Sequence, residues 1–311
     1  MKEDSLAIQC AGMIEELISS ANSDHKIDDT NVFQPANPKT RKFLNILLDK
    51  YFLPESHIAG LENFMEFHKA LKEGKRGLIL SEHFSNMDAP AITYLLEKVG
   101  KPETDELAKD IVAIAGVKLN ETNPMIKALA ESFTRIVIYP SRSLASIKDP
   151  QERIEEEAKS RRINTASLHA MTECRKNGRP VLVFPSGTRF REGKPETRQG
   201  VREIDSYIRM FDVMIFISIN GNALRIDPDE PENMRADVLT KDTVVLTASP
   251  VIDCKEFRKQ ALAECDETVE DKKLFVVSKV MEKLLDQHNA QKPYYEETYK
   301  NATGKDTDYL I

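Results

Sequence analysis

The sequence predicts an α/β fold: a mixed sheet covered by helices, with a small helical bundle in front of it. Short apolar runs at Gly77–Leu80, Ile111–Ala115, Arg135–Tyr139, Val181–Phe184, Met214–Ile219 and Val244–Ala248 are too brief for buried helices, and most are rich in Val and Ile. Long amphipathic segments alternate with these runs, which is the texture of strands joined by helical crossovers. Up to about residue 75 the texture is different, with apolar residues following helical spacing.

The helical part reads in order. Ala7, Cys10, Ala11, Ile14, Leu17, Ile18 and Ala21 form one apolar stripe, and a polar break follows at Ser23-Asp24-His25-Lys26. A second helix is predicted from Thr40 to Phe52, with Phe43, Leu47 and Tyr51 on one face and Pro54 as its stop. A third is predicted from Ser56 to Lys72, with Ile58, Leu61, Met65 and Leu71 turned inward. The expected organisation is a packing bundle over 1–75, an α/β domain over 76–291, and a polar, loosely held tail over 292–311. There is no internal repeat.

With 311 residues, 41% of them apolar and 13 Phe, the chain can build a large core. A net charge of -7 argues against broad nucleic-acid binding and still allows a local basic pocket. Cys10, Cys174, Cys254 and Cys265 are scattered, with no CxxC pair, so neither a disulfide framework nor a metal site is expected and a reducing cytosol fits. No apolar run approaches the roughly 18 residues of a membrane span. The acidic start, Met1-Lys2-Glu3-Asp4, is unlike a signal or transit peptide. The expectation is a cytoplasmic protein, with peripheral contact at a membrane surface left open.

Two segments carry chemistry. Ser81-Glu82-His83-Phe84-Ser85-Asn86-Met87-Asp88 leaves a predicted strand and sets a His five residues before an Asp. A hydroxyl nucleophile needs a base at neutral pH, and a His whose second ring nitrogen is held by a carboxylate supplies one. The spacing alone discriminates poorly: His57 and Glu62, and His68 and Glu73, share it, and packing or surface roles are expected for both. The second segment, Phe184-Pro185-Ser186-Gly187-Thr188-Arg189-Phe190-Arg191, leaves another strand, turns at a Gly and presents two arginines. Arg is the preferred side chain for bidentate phosphate contacts. Arg142, just past Ile136–Tyr139, is a third candidate; Arg135, at the front of that strand, should lie at the opposite end of the sheet.

Together these residues resemble the glycerolipid acyltransferases, above all the soluble, plastid-type glycerol-3-phosphate acyltransferases. The HxxxxD motif is His83 and Asp88; the Pro-Ser-Gly-x-Arg-x-Arg loop is Pro185, Ser186, Gly187, Arg189 and Arg191. Val137-Ile138-Tyr139-Pro140-Ser141-Arg142 and Asn164-Thr165-Ala166-Ser167-Leu168 also look similar to the family, and the resemblance spans about residues 75 to 290. It implies an α/β domain behind a helical bundle, and transfer of a fatty acyl group from acyl carrier protein or coenzyme A to the sn-1 hydroxyl of glycerol 3-phosphate, giving lysophosphatidate. His83 would be the base, Asp88 its orienting partner, and Arg142, Arg189 and Arg191 the phosphate ligands, with Ser143, Ser186, Gly187 and Thr188 in the substrate loops. No metal and no cofactor beyond the acyl thioester co-substrate are implied, and the setting would be a bacterial cytosol or plastid stroma. Two positions depart from the family. Ser186 stands where membrane relatives carry Glu, which favours the soluble subgroup, and Arg142-Ser143 stand where that subgroup tends to have Lys-His. Another acceptor such as lysophosphatidate, or a non-catalytic binder of lipid or acyl carrier protein, are the alternative readings. Lys159-Ser160-Arg161-Arg162 would be either a dock for an acidic carrier or a solvated helix face.

Overall fold

The computed structural model describes residues 2–12, 14–21, 26–121, 124–145 and 147–309; within these, the side chains of Ile14, Glu121, Arg142 and Ala145 lie outside the description. Eleven strands are present among the described residues: β1 Phe33–Gln34, β2 His57–Ala59, β3 Gly77–Ser81, β4 Val112–Gly116, β5 Arg135–Ile138, β6 Val181–Val183, β7 Val213–Asn220, β8 Leu224–Arg225, β9 Val238–Leu239, β10 Val245–Ala248 and β11 Ile252–Asp253. Nine of them form one mixed sheet in the order β1-β5-β4-β6-β3-β7-β10-β2, with β11 also on β7. The pairs from β5 through to β7 are parallel, so the loops after β3, β6, β5 and β7 leave from the same edge. That edge is where ligands collect in open α/β sheets.

The strand alternation divides the core into two faces. Ile79, Leu182 and Ile215 pack with Phe43, Leu47, Phe64, Phe67 and Ile92 on one side. Leu78, Leu80, Val183 and Met214 pack with Met171, Ile208, Val276, Val280 and Leu284 on the other. Phe64 and Phe67 are fully buried, each worth about 2–3 kcal/mol of hydrophobic stabilisation. The mixed α/β architecture follows the sequence reading, and all six predicted strands are present.

Three elements differ from expectation. The helix predicted from Ser56 begins at Leu61, because Gly60 takes φ +72° and the preceding His57–Ala59 pairs in parallel with the free edge of β10. The N-terminal stripe is two helices, Leu6–Gln9 and Ile14–Ser20. The segments before residue 75 therefore contribute strands to the sheet and residues to the core, most on the Ile79 side and Ile27 and Val32 in a smaller cluster with Val137 and Ile163. The polar C-terminal stretch is held rather than loose. The helix Lys272–Thr303 runs through Pro293, and Leu284, His288 and Tyr295 are its buried stripe. A proline there removes one backbone donor, and the packing of that stripe keeps the helix continuous.

Candidate active site

β3 ends at Ser81, and the chain turns through residues 82–87 into the helix Asp88–Lys98. Asp88 is the first helical residue, and its carboxylate reaches back over the turn. One oxygen, Oδ2, accepts from the backbone N–H of Phe84 at 2.7 Å and of Ser85 at 2.9 Å, and lies 2.8 Å from His83 Nδ1. A carboxylate can only accept, so Nδ1 carries the proton and Nε2 is left as the ring's basic nitrogen. Asp88 is 4% exposed, whereas the His83 side chain keeps 17% of its surface. The pair is therefore anchored from behind and open in front.

The loop after β6 lies against this turn because β6 and β3 are neighbours, with Leu80 opposite Val183. Phe190 N–H donates to the His83 carbonyl at 2.8 Å, and the Phe184 ring stacks on the imidazole at 4.1 Å between centroids. Gly187 takes φ +63°, and its N–H donates to the Phe184 carbonyl at 2.9 Å. A Cβ there would stand 3.1 Å from Val201, so the turn needs a residue free of both the φ and the contact penalty. Ser186 Oγ closes the loop by donating to the Thr188 carbonyl at 2.6 Å.

The arginines divide into two kinds. Arg189 is 5% exposed and its Nη1 donates to Asp237, which is fully buried. Burial pushes the Asp237 carboxyl up to about 6, against the pull of Arg189. Arg191 is paired with Glu232, whose side chain is 72% exposed, at 3.0 Å, and donates to Thr188 Oγ1 at 3.0 Å. Arg198 lies over the Phe190 ring at 4.2 Å. The backbone of Arg142 is in the helix Ser141–Ala145 beyond β5, while its side chain lies outside the described residues. Ser143 is buried in the same helix and donates its N–H to the Pro140 carbonyl. Arg135 sits at the far end of β5, fully buried, bonded to the Ala130 carbonyl and Asn120.

The remaining sequence candidates are also located. Asn164 makes two hydrogen bonds to the Tyr139 backbone and Ser167 Oγ donates to the Val137 carbonyl, which staples the helix Pro150–Lys176 to β5. Lys159 lies over the Tyr139 ring and Arg161 is exposed beside Glu157. His68 bonds Glu106 and His57 meets Tyr294, so neither decoy forms a pair with the Glu five residues on. Burial pushes the Cys10 thiol to about 11 and Cys254 to about 12, which disqualifies both as thiolate nucleophiles near neutral pH. Among the described residues no group of three or more His, Cys, Asp or Glu could hold a metal ion.

Four partners escaped the sequence reading: Asp237, Glu232, Glu82 and His288. Glu82 Oε2 lies 2.9 Å from both the Ile219 N and His288 Nδ1. Only Glu82 was next to a motif; the other three come from segments with no motif of their own.

The acyltransferase family model matches residues 57–216, which takes in both loops. The chain is 25% identical over 176 residues to the chloroplastic glycerol-3-phosphate acyltransferase of Spinacia oleracea, covering 53% of this chain and 34% of that protein. It is 24% identical over 173 residues to the chloroplastic enzyme of the same name from Arabidopsis thaliana, covering 53% and 35%. The matched stretch thus spans about a third of the length of these curated relatives. No described helix is long and apolar enough to cross a membrane. With a histidine and its carboxylate partner on one loop, a glycine turn on the next, and a family match that encloses both, the chain belongs to the acyltransferase family.

Proposed function

We propose that the protein transfers a fatty acyl group from acyl carrier protein or coenzyme A to the sn-1 hydroxyl of glycerol 3-phosphate. The observation that carries this reading is the 2.8 Å bond between His83 Nδ1 and Asp88, which presents Nε2 as a base at a strand end beside a glycine turn. Nε2 takes the hydroxyl proton as the oxygen attacks the thioester carbonyl carbon. The tetrahedral intermediate expels the thiolate, which takes the proton back from His83, leaving an ester, a thiol and a neutral imidazole. No covalent enzyme intermediate is needed. Of the phosphate ligands, Arg191 is the best supported, because its exposed partner Glu232 can be displaced by a phosphate dianion. Arg189 retains further N–H donors beside its bond to Asp237, and Arg142 is the third member of the set. Docking the phosphate would fix the hydroxyl near His83, so that binding supplies proximity.

The test is transfer from labelled acyl carrier protein and coenzyme A thioesters with glycerol 3-phosphate or lysophosphatidate as acceptor. The expected product is 1-acylglycerol 3-phosphate, with His83→Ala slower by roughly 10²–10⁴-fold. Acylation of lysophosphatidate alone would move the acceptor, and acyl binding without transfer to either would overturn the enzymatic reading.

A further inference from the structure

Glu82, the residue before His83, pairs with His288 on the helix Lys272–Thr303, 206 positions away in sequence. Both side chains are nearly inaccessible, at 9% and 4%. Glu82 Oε2 accepts from Ile219 N–H at 2.9 Å and sits 2.9 Å from His288 Nδ1. Since the carboxylate only accepts, Nδ1 of His288 carries a proton too. The His288 ring also meets the Phe84 ring, with centroids 5.7 Å apart. His288 therefore touches the residues on both sides of His83. Its carbonyl accepts from Asn220 Nδ2 at 3.2 Å, and neighbouring Gln287 donates to the Thr247 carbonyl at 2.5 Å. The helix Lys272–Thr303 is thus pinned to β7, to β10 and to the exit of β3 within two residues.

Packing alone does not explain this pair. A buried Glu and His cost desolvation that an apolar pair of like volume would avoid, so what the polar pair adds is direction. The Glu82 backbone is fixed as well, its N–H donating to the Ile217 carbonyl at 3.0 Å. With residue 82 held by its side chain and main chain and residue 84 held through its ring, the backbone of His83 has little freedom. A hydrogen-bonded base is effective only when its free nitrogen is aimed at the reacting proton.

We infer that His288 is a positioning residue: through Glu82 and Phe84 it fixes the backbone from which His83 acts. This rests on the proposed role of His83 as base, so one arm of the test does not use catalysis. In the parent protein and in His288→Leu, His288→Asn and Glu82→Gln, three quantities are measured: the thermal midpoint, the downfield Nδ1–H proton resonance of His83 (assigned with His83→Ala), and kcat and KM for acyl transfer to glycerol 3-phosphate. His288→Leu should shift or broaden the His83 resonance and lower kcat by roughly 10–100-fold with KM for the acceptor little changed. His288→Asn, whose amide N–H replaces that of Nδ1, should return both toward the parent. If Leu does not fold, Glu82→Gln against His288→Asn carries the same comparison. An unmoved His83 resonance in folded variants, or a loss confined to the thermal midpoint, overturns the inference. A moved resonance in a protein that transfers no acyl group keeps the positioning and removes the reaction.

Discussion

Phe184 lies face to face with His83, the ring centroids 4.1 Å apart and the planes 16° apart. The two residues come from the loops after adjacent parallel strands, so the contact joins one motif to the other. In the proposed mechanism His83 becomes an imidazolium, which a flat aromatic face attracts, and the stacking also restricts rotation of the ring. Phe184→Leu keeps an apolar side chain and loses the face. Its kcat should fall by roughly 2–30-fold, the equivalent of about 0.5–2 kcal/mol, with KM nearly constant. Steady-state acyl transfer checks this, and an unchanged kcat would leave the stacking as packing only.

Asp88 does two things with one oxygen. It accepts the hydrogen bond from His83 Nδ1–H, and it ties the N–H groups of Phe84 and Ser85 into the turn. Asp88→Asn can keep an acceptor for the turn and still lose the charge that stabilises an imidazolium. The thermal midpoint should drop only modestly, while kcat falls by roughly 10²–10⁴-fold. Asp88→Ala should lose both. An Asn variant retaining a third or more of the parent activity would remove the orienting role.

Arg189 and Asp237 make the next case separable. Asp237 is fully buried, and Asp237→Asn leaves a buried guanidinium without its counter-charge, which should cost about 3–5 kcal/mol. A phosphate anion at Arg189 would restore that counter-charge. Glycerol 3-phosphate should therefore raise the melting temperature of Asp237→Asn more than that of the parent. Arg191→Ala should instead raise the KM for the phosphorylated acceptor by roughly 10-fold or more, as expected when one charge-assisted hydrogen bond of 1.5–3 kcal/mol is lost. Equal melting shifts in parent and variant would assign Arg189 to structure alone.

What could be read in the sequence follows physical range. The six strands that begin at Gly77, Val112, Arg135, Val181, Val213 and Val245 were legible because a strand buried on both faces is a continuous apolar run, and His83, Asp88 and the Gly187 turn because their partners lie within a few residues. Asp237 pairs with Arg189 across 48 positions and His288 with Glu82 across 206, and no local pattern marks either. β1 and β9 have two residues each, too few for any period to show. The C-terminal stripe was hidden because its members at Leu284, His288 and Tyr295 include a His and a Tyr, which an apolar count passes over. Arginines alone did not reveal which were paired: Arg189 and Arg191 look equivalent in the loop, yet their carboxylate partners differ in exposure, 0% for Asp237 and 72% for Glu232.

Arg76 and Asp212 give the pH dependence, at the edge of the sheet opposite the site. They precede β3 and β7, and Arg76 donates to Asp212 from both its backbone N–H, at 2.9 Å, and Nε, at 2.7 Å. These bonds hold the Asp212 carboxyl down to about 2. A carboxylate depressed in the folded state stabilises above its unfolded value, near ~4, and that stabilisation is lost as pH falls toward the folded value. Two units correspond to roughly 3 kcal/mol, but Asp212 and Arg76 are 31% and 41% exposed, so solvent screening reduces the expected contribution to about 1 kcal/mol. Denaturant midpoints measured between about pH 7 and pH 2 should fall through this window in the parent, and Asp212→Asn should flatten that part of the curve. At neutral pH the same variant should be slightly less stable and equally active, since its bonds lie a strand's length from His83. A loss of kcat comparable to that of Asp88→Asn would mean that the two edges of the sheet are mechanically linked, and the site would then depend on strand register as well as on its own loops.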